Sequence, residues 1–123
     1  MTHLSPLATS EQMASWDQHD LSKRGIPSDR LIRLYEAWGR AGYGLILTGN
    51  IMIHPEQLEA PGNVILYGPH ETPERMEQLR RMAEAGKVEG SLMVAQLSHP
   101  GRQTSSTLNP NPVSAGDVQL GDR

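Results

Sequence analysis

The apolar positions change period along the chain. Between residues 29 and 41, Leu31, Leu34, Tyr35 and Trp38 recur at the i, i+3, i+4, i+7 spacing of one helical face. Ser28 or Asp29 can cap the start and Gly42 can supply the stop, so the spacing predicts an amphipathic helix over 29–41. The run that follows, Gly44-Leu-Ile-Leu, shows no polar alternation, as expected of a strand covered on both faces. Thr48-Gly49-Asn50 punctures it and reads locally as a bulge or turn; a Gly-Asn pair at a strand end also permits close approach of a ligand. Residues 54–71 form a long connection with a short apolar patch from Val64 to Tyr67. Thr72-Pro73-Glu74 combines a capping residue, a proline suited to the first turn and an acid at the positive end of the dipole. Met76, Leu79, Met82 and Ala83 then give an apolar face that Gly86 ends, and Leu92 to Leu97 makes a second buried strand. The tail over 103–123 is rich in Ser, Asn, Pro and Gly and reads as loop.

Helix, strand, long loop, helix, strand and loop in this order are the grammar of α/β folds with a parallel sheet and right-handed crossovers. Two or three parallel strands close no barrel, and a complete eight-stranded βα barrel takes at least about 200 residues. An α/β unit with a parallel sheet is therefore expected, and if it belongs to such a barrel these 123 residues hold at most its first part.

Composition narrows the function. The formal charge of −3 and basic residues scattered in pairs such as Lys23-Arg24 and Arg80-Arg81 offer no stripe for a phosphate backbone, so no nucleic-acid partner is expected. The longest apolar stretch, about ten residues, is short of the roughly twenty that span a bilayer, and no membrane association is expected. Met1-Thr-His-Leu-Ser-Pro6 lacks a basic n-region and an apolar h-region, which points to a cytoplasmic protein. With no cysteine, disulfides, cysteine zinc sites and a cysteine nucleophile are excluded within these residues. The histidines at 3, 19, 54, 70 and 99 show no ligand spacing, so no metal site is expected. Nucleophile-elbow, phosphate-loop and dinucleotide-loop motifs are all missing.

The candidate chemistry sits in Ser91-Leu-Met-Val-Ala-Gln-Leu-Ser-His-Pro-Gly-Arg-Gln103. In parallel α/β folds ligand groups stand at the C-terminal ends of strands. On an extended strand Leu92, Val94 and Gln96 share a face, making the amide the polar end of an apolar row. An amide carries both donor and acceptor, which suits a heterocycle edge of alternating N–H and C=O groups, although it could equally cap loop backbone. His99 beside Pro100-Gly101 is more simply a turn residue. Arg102 is a loop-anchoring cation or one that faces an anion or an electron-rich ring.

"GLILTGN", "SLMVAQLSHPGRQ" and "NPNPVSA" together resemble the Old Yellow Enzyme-like NADH:flavin oxidoreductases, especially NADH oxidase-type members. The resemblance runs from about Ala8 to the end, and its most specific part is the apolar strand, glutamine and H-x-G-R turn in fixed order. It implies an FMN-binding barrel in which the two strands read here are the second and third, so that residues 1–123 would form a partial (β/α)8 TIM barrel, its first two to three βα units only. By resemblance, Gln96 bonds the pyrimidine edge of the flavin, Gly49 and Asn50 match the second-strand end that approaches the ring, and Ala8 ends the first strand beside it. Arg102 is carried over as a substrate-side residue. The implied cofactors are FMN with NAD(P)H as reductant, and the implied reaction passes reducing equivalents to a small-molecule substrate, an activated alkene or another acceptor. The family's catalytic and phosphate-holding residues lie in later βα units and match nothing here, so the catalytic residues are not assigned. A chain without the phosphate cradle should bind FMN poorly; the alternative is a truncated, catalytically inactive barrel fragment without flavin.

Overall fold

The computed structural model describes residues 10–118. Helix α1 spans Asp29–Arg40, one residue shorter than its periodicity indicates, and begins where the Ser28 hydroxyl accepts the Leu31 N–H at 3.2 Å. Helix α2 spans Pro73–Gly86 and is capped in the same way by Thr72, which accepts the Arg75 N–H. Both starts follow from the side-chain chemistry that satisfies the orphan donors of a first turn.

Strands β1 (Leu45–Met52), β2 (Val64–Ile65) and β3 (Leu92–Ser98) form one parallel sheet in the order β2-β1-β3. The apolar patch at 64–65 is thus a third strand. It is short and pairs only with Ile51 and Met52, the last two residues of β1. Strand β1 is longer than the apolar run alone predicts, because it continues through Thr48-Gly49-Asn50 with a register shift between Leu47 and Asn50. The expected bulge is present, and the strand survives it. Beyond the 3-10 turn Gly101–Gln103 the described part of the tail has no helix or strand, yet it is anchored. The side-chain Oε1 of Gln57 accepts from the Thr104 hydroxyl and the Val113 N–H, and Leu108 packs against Met52, Leu58 and Ile65.

The main core lies on the helix side of the sheet: Leu31, Ile32 and Tyr35 of α1, Ile46 and Ile51 of β1, Val64 of β2 and Met82 of α2. The two helices approach closely at Gly39, where an added Cβ would lie 2.5 Å from the Ala85 carbonyl. The segment before α1 is fastened by Arg75, a residue only 1% exposed. It donates to the carbonyls of His70, Ile65, Ser22 and Arg24 at 2.8–3.0 Å. One buried cation therefore joins α2, β2 and the turn at 22–24, a role that periodicity does not reveal.

Candidate functional site

Parallel pairing puts the C-terminal ends of β1 and β3 side by side, with Asn50 opposite Gln96. Alternation assigns Leu92, Val94 and Gln96 to one face of β3 and Met93 to the helix face, where it packs on the core. On β1, Leu45 and Leu47 pair with Leu92 and Val94 and share their face. Simple counting would then put residue 49 on that face and Asn50 with Ile46 among the helices.

The bulge reverses this parity. Thr48 and Gly49 together oppose Ala95, so one extra residue on β1 rotates Asn50 onto the face of Gln96 and returns Ile51 to the core. The polar groups freed by the irregularity are satisfied. The Thr48 hydroxyl accepts the Gln96 backbone N–H at 2.9 Å, in the place of a ladder carbonyl, and donates to the Gly49 carbonyl at 2.8 Å. The Gly49 N–H donates to the Tyr35 hydroxyl at 3.0 Å, and that hydroxyl donates to Glu11 Oε1 at 2.9 Å. Burial, with the charge of Glu11 as second cause, pushes the Tyr35 phenol above the ordinary tyrosine value.

With Asn50 turned to the open face, the two amides meet. Gln96 Nε2 donates to Asn50 Oδ1, and Asn50 Nδ2 donates to Glu59 Oε2 at 2.8 Å. The same carboxylate oxygen accepts from the Ser10 hydroxyl at 2.8 Å. Asn50, Met52, Glu59, Ser98, His99, Pro100 and Gln103 line a hollow of about 150 Å³ at this end of the sheet. Behind the amides the row Leu45, Val94 and Leu92 is exposed, Leu92 at 59%. Such a surface, apolar with a polar rim of paired donors and acceptors, fits a flat heterocycle laid along the strand ends.

Of the residues singled out from the sequence, Gly49, Asn50 and Gln96 come together. Ala8 lies outside the described residues. Arg102 is exposed in the 3-10 turn and borders shallow surface hollows with Pro112, Ser114 and Ala115, apart from the hollow at Asn50 and Glu59. His99 is a turn residue whose Nδ1 accepts the Gly101 N–H at 3.1 Å. Glu59, Tyr35 and Glu11 join the site without a sequence signal of their own: Tyr35 falls in an apolar helical stripe, and neither acid falls at a spacing that marks it. Among the described residues no group of three or more His, Cys, Asp or Glu side chains could hold a metal ion, and no helix is long and apolar enough to cross a membrane.

Comparison with known proteins bears on the family and the fold. The chain is 49% identical over 113 residues to the NADH-dependent flavin oxidoreductase nadA of Aspergillus parasiticus, covering 90% of this chain and 25% of that protein. It is 34% identical over 91 residues to a metal reductase of Desulforamulus reducens, covering 74% of this chain and 13% of the relative. Among solved structures, the Old Yellow Enzyme homologue of Zymomonas mobilis superposes with a TM-score of 0.70 at 23% identity, over 97% of this chain and 30% of that one. The Old Yellow Enzyme of Trypanosoma cruzi gives 0.69 at 21% identity, over 94% and 28%. At these identities the structural likeness speaks for the fold, which is that of part of a TIM barrel, as the family resemblance implies, with the parallel sheet that the alternation of helix and strand predicts. No protein-family model matches the chain. It spans 25% of the length of the nadA oxidoreductase.

Proposed function

Since this chain is an Old Yellow Enzyme-like barrel segment, we propose that it works in an FMN-dependent oxidoreductase that takes reducing equivalents from NAD(P)H. The observation that carries this reading is the convergence of the Asn50 and Gln96 amides on the open apolar face at the ends of parallel strands. The fit is to the ring of a flavin. Gln96 would hold its pyrimidine edge, Gly49 and Asn50 would border it from β1, and Ala8 would flank it from the preceding segment. Arg102, exposed in the turn after β3 and outside the hollow at Asn50 and Glu59, would meet an anionic substrate. When bound, a flavin would supply hydride transfer from the nicotinamide to a small-molecule acceptor such as an activated alkene.

The chain's own contribution is orientation. Backbone bonding of Gln96 to the Thr48 hydroxyl fixes the height of the amide above the sheet, and the bulge keeps Asn50 beside it. One observation favours the second reading, an inactive piece without flavin: Leu92 and Leu97 of β3 are 59% and 60% exposed, so the strand that carries Gln96 is poorly covered.

The test is the visible flavin spectrum of the complete gene product and its bleaching by NADH, with Gln96→Ala beside the wild type. Loss of a ring-edge hydrogen bond should weaken flavin binding about tenfold. A colourless protein that takes up no added FMN would establish the second reading instead.

A further inference from the structure

We propose that Glu59 sets the direction in which Gln96 presents its amide, and so selects a ligand edge that offers an N–H. The proposal rests on the reading that Gln96 faces a flavin ring. An ionised carboxylate only accepts hydrogen bonds, whereas a primary amide presents a donor or an acceptor depending on which way it is turned. Between Asn50 and Gln96 alone the direction is undetermined, because reversing both amides restores the same bond. Glu59 removes that freedom. Its Oε2 takes an N–H from Asn50 and the hydroxyl hydrogen of Ser10, each at 2.8 Å. Asn50 must therefore turn its nitrogen to Glu59 and its oxygen to Gln96, and Gln96 must answer with its own nitrogen.

The consequence falls on what Gln96 has left. One of its two N–H groups is committed to Asn50, so its carbonyl oxygen and its second N–H remain for a ligand. Among the described residues no group donates to that oxygen. A carbonyl and an N–H side by side complement a ring edge on which an N–H adjoins a carbonyl, as in the imide of an isoalloxazine. The reversed amide would spend its oxygen on Asn50 and offer the ligand only donors. Glu59 is exposed and sits in the loop between β1 and β2; it acts on Gln96 through Asn50, as a positioning residue.

The experiment compares FMN with FMN methylated at the ring imide nitrogen, which cannot donate there. Dissociation constants come from flavin fluorescence for the complete gene product, for Glu59→Gln and for Glu59→Leu, each variant checked for an unchanged melt. The wild type should prefer FMN by about tenfold, the worth of one hydrogen bond. Both variants should lose most of that preference, because the amide pair can now reverse. Variants that bind both flavins more weakly but keep the wild-type ratio would show a merely structural carboxylate and overturn the proposal. A wild type that binds both flavins equally would overturn it too, with flavin binding intact. If the wild type binds neither, the flavin reading itself falls and this inference with it. Should Glu59→Leu fail to fold, Glu59→Gln, which keeps the size of an exposed side chain, decides.

Discussion

Replacing Tyr35 by Phe tests the link between the helix layer and the strand irregularity on which the site depends. The ring would stay, with its edge-on contact to Trp38 at 5.0 Å, so packing is nearly conserved and only the hydroxyl is lost. That hydroxyl accepts from the buried Gly49 N–H and donates to Glu11. Leaving a buried N–H without an acceptor costs about 1–3 kcal/mol, and the loss of the Glu11 bond adds to it, so the variant should be less stable by about 2–3 kcal/mol. In urea unfolding the midpoint should fall with little change in slope. The alkaline limb gives an independent check. In the fold the Tyr35 phenol titrates above its ordinary value of 10.0. The neutral phenol's contribution is thus whole below pH 10 and is lost as pH rises beyond it, where the unfolded chain releases a proton that the folded chain retains. The wild type should lose about 1.4 kcal/mol per pH unit there from this group alone, and Tyr35→Phe should lack that component, so the two proteins converge in stability above pH 10. Equal stability at neutral pH together with parallel alkaline limbs would refute the argument that Tyr35 holds the bulge.

Two substitutions probe how the segment before α1 is held. Arg75→Met leaves four carbonyl acceptors without their donor and should lower stability by about 3 kcal/mol, since the lost charged hydrogen bonds outweigh the relief of no longer burying the cation. A loss below about 1 kcal/mol in the same unfolding assay would mean that those carbonyls find other partners. Gly25→Ala should cost at least about 2 kcal/mol, because Gly25 has φ of +77° and an added Cβ would stand 2.4 Å from the Ile65 side chain. An unchanged melting temperature would show that the turn adapts.

What could be read from the chain, and what could not, divides along a physical line. The helices were legible because their signals are local: Ser28 and Thr72 satisfy donors three residues away, and Leu31, Leu34, Tyr35 and Trp38 mark one face whatever they pack against. Gln96 was legible because β3 carries no irregularity, so counting by twos from Leu92 gives its face. Strand β2 has two residues, too few for any period to show, and its pairing with Ile51 and Met52 depends on the path of the loop before it. Asn50 is the instructive case. Its residue type and its place after Gly49 mark it, but its orientation depends on whether β1 contains one residue more than the facing stretch of β3, and Thr48-Gly49-Asn50 reads as a bulge or a turn without deciding between them. The extra residue is tolerated because the Thr48 hydroxyl, within the bulge, and the Tyr35 hydroxyl, from helix α1, take up the hydrogen bonds it displaces, with Glu11 accepting from Tyr35 in turn. Glu59 is one step further removed, since it acquires a role only after the bulge has turned Asn50 toward it. The site is thus built in an order: helix α1 places the phenol, the phenol and Thr48 stabilise the irregularity, the irregularity sets the parity of Asn50, and the carboxylate then gives the paired amides a direction. Each step changes what the next residue can do, and for this reason a change at Tyr35, on the helix side of the sheet, should be felt at the amide of Gln96.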